Sequence, residues 1–181
     1  MKLLYILLIL IIILGLLAII YIIYYNKLQD AKLKIDEAEL IIDENLRKKY
    51  DNLIEIKNII KRKLKNNKIN FKDLDDLKLD ELSNFDIDRK LDQIYNLITT
   101  IINDYQETKD NIDINDYLND IDRINEKLDS AKSFYNKYIT ESNALVLKFP
   151  SNIVALVHKI KVKNFFDNKD LFDENLNDFK L

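Results

Sequence analysis

Residues 3–25, LLYILLILIIILGLLAIIYIIYY, form a run of 23 residues without a charged side chain. As a helix such a run spans about 34 Å, enough to cross a hydrocarbon layer of roughly 30 Å. It reads as a transmembrane anchor. The rival is a cleavable signal sequence, but the apolar stretch of a signal sequence is shorter, about 7–15 residues, and is followed by small residues. Here the run closes on IIYIIYYNK. Tyr21, Tyr24 and Tyr25 suit the headgroup layer, where a ring rests in apolar material while its hydroxyl stays wet. Gly15 and Ala18 stand three apart rather than four, so the close-packing dimer spacing is absent. Lys2 precedes the run, whereas Lys27, Lys32 and Lys34 follow it. The positive-inside tendency then favours a single-pass protein of the cell membrane with the bulk of the chain cytoplasmic.

The remaining residues, 26–181, carry 27 basic and 31 acidic side chains, a net charge of −4. That is one domain's worth of chain, long enough for one sizeable core. Beyond Asn26 the hydrophobic period becomes helical. Leu28, Ala31, Ile35, Ala38, Ile42, Leu46, Tyr50, Leu53, Ile56, Ile60 and Leu64 are spaced by threes and fours, which predicts a helix continuing out of the anchor to about Lys65. A second stripe runs from Ile87 through Leu91, Ile94, Ile98 and Ile101 to Tyr105. The third begins at Ile114 and follows Tyr117, Ile121, Ile124, Leu128, Ala131, Tyr135, Tyr138, Ser142 and Leu145 to Phe149, a heptad seam with one small polar member. Helices striped in this way must cover one another's apolar faces.

Residues 66–86 and 106–113 are rich in Asn and Asp and read as turns, the first with a short helix around Leu74, Leu77 and Leu82. The sole proline, Pro150, ends the third stripe because it lacks an amide hydrogen and crowds the turn before it. Ser151 or Asn152 is then expected to cap a short helix from Ile153 to about Ile160. The expected fold class is all-α, an N-terminal transmembrane helix followed by an elongated antiparallel bundle of three to four helices with a long coiled-coil-like hairpin. Its expected parts are an anchor at 1–25, a bundle at 26–167 and a tail at 168–181.

The residues for chemistry are few. There is no cysteine and a single histidine, His158, which excludes a zinc site or a Cys-His nucleophile pair built from such side chains. A carboxylate di-metal bundle needs Glu three residues before His, and Ala155 stands there. DLDD at 73–76 and DNIDIND at 110–116 lack the glycine and closing Glu of a calcium loop. The sole glycine, Gly15, lies in the anchor, so no phosphate-cradling loop exists. No cofactor, metal or small-molecule substrate is expected.

One charge feature rises above background. Lys57, Lys61, Arg62, Lys63, Lys65, Lys68 and Lys72 form a basic stretch without an acidic residue among them. Cations at a helix C-terminus and a solvated face account for most such runs. On an up, down, up path the Pro150 turn would join them at the far end, adding Lys159, Lys161 and Lys163 beside Phe165 and Phe166. A pole of that kind would suit an acidic protein partner, with nucleic acid ranked below it.

Finally, IDEAELIIDENLRKKYDNLIEIKNIIK at 35–61, SAKSFYNKYITESNALVLKFPSNIVA at 130–155 and FFD at 165–167 resemble the LemA family. Tyr135 and Asn136, followed by Asn143 and then FPSNIVA, carry the resemblance most specifically. It implies a bacterial protein with an N-terminal transmembrane helix and a helical bundle, without established catalytic residues. Ile54, Gln106, Asn125, Lys132 and Lys159 depart from it, standing where family members carry proline, proline, Glu, Arg and glycine. The reading of function that follows is a non-enzymatic scaffold or docking surface for other proteins at the membrane. A structural subunit of a larger assembly comes second, and a hydrolase or accessory enzyme using His158 third.

Overall fold

The computed structural model describes residues 2–64 and 69–167. Six helices are described: α1 at Lys2–Leu64, α2 at Lys72–Asp75, α3 at Asn84–Asp104, α4 at Gln106–Lys109, α5 at Ile112–Leu147 and α6 at Ser151–Val157, with a 3-10 turn at Leu79–Glu81. The fold is all-α, and no strand occurs among the described residues. The chain divides into two compact units that share α1 and α5. One comprises Met1–Glu37 and Tyr135–Leu181, the other Ala38–Phe134.

In the unit Ala38–Phe134, the α1 stripe is buried as its spacing requires, from Ala38 through Ile42, Leu46, Leu53 and Ile56 to Ile60. The expected up, down, up path is corrected here. Lys57 pairs with Asp75 at 2.6 Å and Arg47 with Asp80 at 3.0 Å, so the segment after α2 runs back along α1. Phe71, Leu74 and Leu77 are buried along the way. The segment expected as a turn is therefore a return crossing, short because a near-extended chain advances about 3.3 Å per residue against 1.5 Å in a helix. Asn84 Nδ2 then donates to the Glu39 carbonyl at 3.4 Å, and Lys49 Nζ meets Asp92 at 2.6 Å. Residue numbers rise together, so α3 runs parallel to α1 rather than antiparallel. Against α5 they run oppositely, since Lys132 pairs with Asp88 at 2.5 Å and Tyr95 bonds Asp122 at 3.4 Å.

The ends of α3 have local causes. Ser83 Oγ accepts the Asp86 N–H at 3.2 Å, an N-cap. At the other end Tyr105 is extended, with φ −119° and ψ 109°. A proline at Gln106 would impose that conformation. Here the fully buried Thr108 lies across the break, its hydroxyl within hydrogen-bond reach of the Tyr105 carbonyl at 2.7 Å and the Ile102 carbonyl at 3.1 Å, with one proton to share between them.

Along α5 the buried face walks around the helix. Ile114, Ile121, Ile124, Leu128, Ala131 and Ser142 are buried on the heptad register, and further on Ile139 and Asn143, one position past the seam residues Tyr138 and Ser142, are buried as well. A straight helix drifts about 20° per heptad against a strict 3.5 repeat, so by Ile139 the seam has turned through about 70°, most of one residue. Phe149 lies beyond the end of α5, is 79% exposed, and is not the last seam residue.

In the unit Met1–Glu37 with Tyr135–Leu181, α1 and α5 meet antiparallel. Lys34 lies over the Tyr138 ring, 5.7 Å from its centroid, and nearer the N-terminus Leu28 packs with Leu145 and Val146. Val154 and Ala155 of α6 complete that core against Leu28, with Tyr24, Tyr25 and Ile160 at its edge. The Pro150 turn therefore returns to the membrane-proximal part of α1.

Candidate functional site

Three devices hold the corner formed by α6 and the residues after it. The first is the turn itself. Helix α6 starts at Ser151, two residues earlier than expected, and no side chain caps it. Ser151 instead donates its hydroxyl backwards to the Lys148 carbonyl at 2.8 Å, tying α6 to the end of α5.

The second device ends α6. The Ile160 N–H reaches the Ala155 carbonyl at 2.9 Å and the Lys159 N–H reaches that of Leu156 at 3.1 Å. This paired pattern requires a left-handed residue between helix and strap, and Lys159 supplies it with φ 55°. It is the position where the resemblance expects glycine. His158, the C-cap residue, then lies on α1: its Nε2 is 2.7 Å from Tyr21 Oη, and its ring centroid is 4.7 Å from that of Tyr25.

The third device clamps the strap of residues 160–167 to α5. Asn143, fully buried, donates Nδ2 to the Lys163 carbonyl at 2.8 Å and accepts the Lys163 N–H on Oδ1 at 2.9 Å. One helical turn pair earlier, Asn136 Oδ1 accepts the Phe166 N–H at 2.8 Å, and the Tyr135 ring meets Phe166 edge-on at 6.2 Å. An amide side chain offers a donor and an acceptor together, so asparagine can mimic a strand partner for one residue of backbone. Beside this corner an open groove of about 510 Å³ runs between Tyr24, Lys27 and Ala31 of α1 and Glu141, Leu145 and Lys148 of α5.

The basic residues expected to form one pole divide between the two units. Lys57 is buried against Asp75, and Lys61 lies 3.6 Å from the same carboxylate with its ammonium over Phe71. The hydrogen bond from Lys57 holds the Asp75 carboxyl below its ordinary range, with the charges of Lys57 and Lys61 acting the same way. Arg62 and Lys63 are exposed in the last turn of α1, and Lys72 is exposed at the start of α2, its N–H accepted by Asn70 Oδ1 at 2.9 Å. Lys159, Lys161 and Lys163 are exposed in the other unit, on the strap that follows His158. Lys65, Lys68 and the tail expected at 168–181 lie outside the described residues.

Among the described residues no group of three or more His, Asp or Glu side chains could hold a metal ion. Helix α1, alone among the described residues, is long and apolar enough to cross a membrane, by length and composition, and none of its apolar window is buried.

The sequence model of the LemA family matches residues 38–176. The chain belongs to the LemA family. No curated protein and no solved structure matches it. In this LemA protein the residues that carry the resemblance have a mechanical role: Asn136 and Asn143 hold backbone, and Tyr135 meets a ring. Sequence reasoning missed the contact of His158 with Tyr21 and Tyr25. It also missed which face of IVALV at 153–157 turns inward, because both faces are apolar.

Proposed function

We propose that this protein is a non-enzymatic, single-pass tether whose coiled-coil-like helices present a docking surface to other proteins at the cell membrane, with the bulk of the chain cytoplasmic. One observation carries the reading. The polar side chains that carry the resemblance, Asn136 and Asn143, bond the chain's own backbone: Asn143 through both its amide nitrogen and its oxygen, Asn136 through its oxygen. Tethering needs no further chemistry, since an anchor raises the local concentration of whatever docks beside it.

Within the basic stretch, Lys61, Arg62, Lys63 and Lys72 are exposed, whereas Lys57 is buried against Asp75, a carboxylate that Lys61 also approaches. Docking of an acidic protein on them weakens with salt, because exposed charges are screened beyond about 8–10 Å at physiological ionic strength. The test is capture of partners from solubilised membranes in rising salt, with a variant carrying Arg62→Gln, Lys63→Gln and Lys72→Gln alongside. Partners released by moderate salt and lost from the variant support the reading. Partners retained through high salt by both proteins favour a structural subunit instead. His158→Ala leaves function intact; loss of function with helix content unchanged would revive an enzymatic role. A reporter fused after Leu181 reads the orientation.

A further inference from the structure

Helix α6 has two apolar faces. Ser151, Val154 and Ala155 turn inward and are buried. Ile153, Leu156 and Val157, spaced i, i+3, i+4, turn outward and are 53%, 78% and 61% exposed, and Phe149 beside them is 79% exposed. Single exposed apolar residues are ordinary, but a contiguous group on one helix face marks an interaction surface.

Its place along α1 identifies the occupant. The residue after this face, His158, is bonded to Tyr21, which lies inside the uncharged run. A span of about 20 residues crosses the hydrocarbon layer. Counted from Leu3, that layer ends near Tyr21 and Ile22, so the corner sits level with the boundary between acyl chains and headgroups. The charge agrees. Residues 142–166 contain no Asp or Glu but include Lys148, Lys159, Lys161 and Lys163, in a chain of net charge −3. Lys159, Lys161 and Lys163 alternate with Ile160 and Val162, so their ammonium groups can reach outward while their stems cover apolar surface. Clustered lysines beside a span attract anionic lipid.

We propose that the α6 corner is a second membrane contact. Phe149, Ile153, Leu156 and Val157 enter the interface of the bilayer that carries α1, and Lys148, Lys159, Lys161 and Lys163 bind its anionic phospholipid headgroups. The inference rests on α1 being a membrane anchor. An interfacial segment of this kind buries its apolar side chains about 5–10 Å into the headgroup and acyl boundary. The Asn143 clamp and the left-handed Lys159 hold the corner in shape before it meets lipid.

The chain has no tryptophan, which makes single-Trp variants direct probes. Full-length Leu10→Trp, Leu156→Trp and Leu33→Trp are reconstituted into phosphatidylcholine vesicles with and without phosphatidylglycerol, with bromine carried on the acyl chains. Leu33 is exposed on α1 about 18 Å beyond Tyr21 and serves as the aqueous reference. The expected result is bromolipid quenching at Leu10→Trp and Leu156→Trp but not at Leu33→Trp. Quenching at Leu156→Trp should deepen with phosphatidylglycerol, and Lys159→Gln, Lys161→Gln and Lys163→Gln together should remove that increase. Phe149→Trp should behave as Leu156→Trp does. Quenching at Leu10→Trp with water-like, unquenched emission at both corner positions overturns the proposal and leaves the anchor standing. A blue-shifted but unquenched corner also overturns it, because a protein partner or a second copy would then cover the face. If Leu10→Trp is unquenched as well, the anchor falls and the corner with it.

Discussion

Replacing Asn143 by alanine removes both hydrogen bonds that hold Lys163 to α5, at 2.8 and 2.9 Å. Each such bond contributes about 1 kcal/mol net, because water replaces the lost partner once the strap lifts. Together they amount to about 2 kcal/mol, roughly a thirtyfold rise in the population of the opened strap. Hydrogen exchange resolved at single amides reads that population directly, since local opening sets the rate. The Lys163 amide should exchange about thirtyfold faster in Asn143→Ala, whereas Asn136→Ala, which loses only the Phe166 bond, should speed Phe166 by about fivefold. Asn143→Asp sharpens the test. A carboxylate keeps the acceptor for Lys163 N–H but cannot donate to its carbonyl, so near-identical size should not rescue the clamp. Unchanged exchange at Lys163 in Asn143→Ala would refute the assignment of these asparagines as backbone clamps.

The other predictions concern stability, measured as urea midpoints in nonionic micelles. Ile139→Ala empties a fully buried position and should cost about 2–5 kcal/mol, whereas Phe149→Ala, at an exposed one, should stay within about 0.5 kcal/mol. Equal losses would mean that Phe149 is packed as a core residue rather than exposed in the turn after α5. Lys159→Gly should raise the midpoint, by the equivalent of about 1 kcal/mol of stability, since glycine adopts the left-handed conformation without a Cβ clash. A lower midpoint would contradict that geometry. Asp75 has a lowered folded pKa, so its pairing with Lys57 contributes fully above the ordinary carboxylate range near pH 4 and is lost as pH falls through the lowered value. Asp75→Asn should therefore lower stability at neutral pH and flatten the acid limb; an acid limb identical to that of the parent protein would count against the pair.

Where hydrophobic spacing is long and regular, it is enough to specify the element. The α1 stripe from Leu28 to Ile60 and the α5 stripe from Ile114 to Ala131 are buried as their periods require. Period alone fails where small angular errors accumulate, as at Ile139 and Asn143, or where both faces are apolar, as in α6. The return crossing was illegible for another reason: Phe71, Leu74 and Leu77 are too few and too irregular to announce an element, and the polar residues around them look like any turn. Its direction depends on which lysine Asp75 meets, a tertiary fact. The clamp was legible only in part, since Asn136 and Asn143 stand out by resemblance but their partners lie 30 and 20 residues ahead.

Only Asn26 and Lys27 separate Tyr25 from Leu28, and α1 runs through them unbroken. With α1 anchored as proposed, there is consequently no swivel at the bilayer surface. Any rotation of the embedded rod about its own axis turns Leu28 by the same angle, and with it Val154 and Ala155, which grip that side chain. The compass bearing of α6 in the membrane plane is thus dictated from within the lipid. A thicker or thinner bilayer that changes the rod's tilt must tip this grip as well.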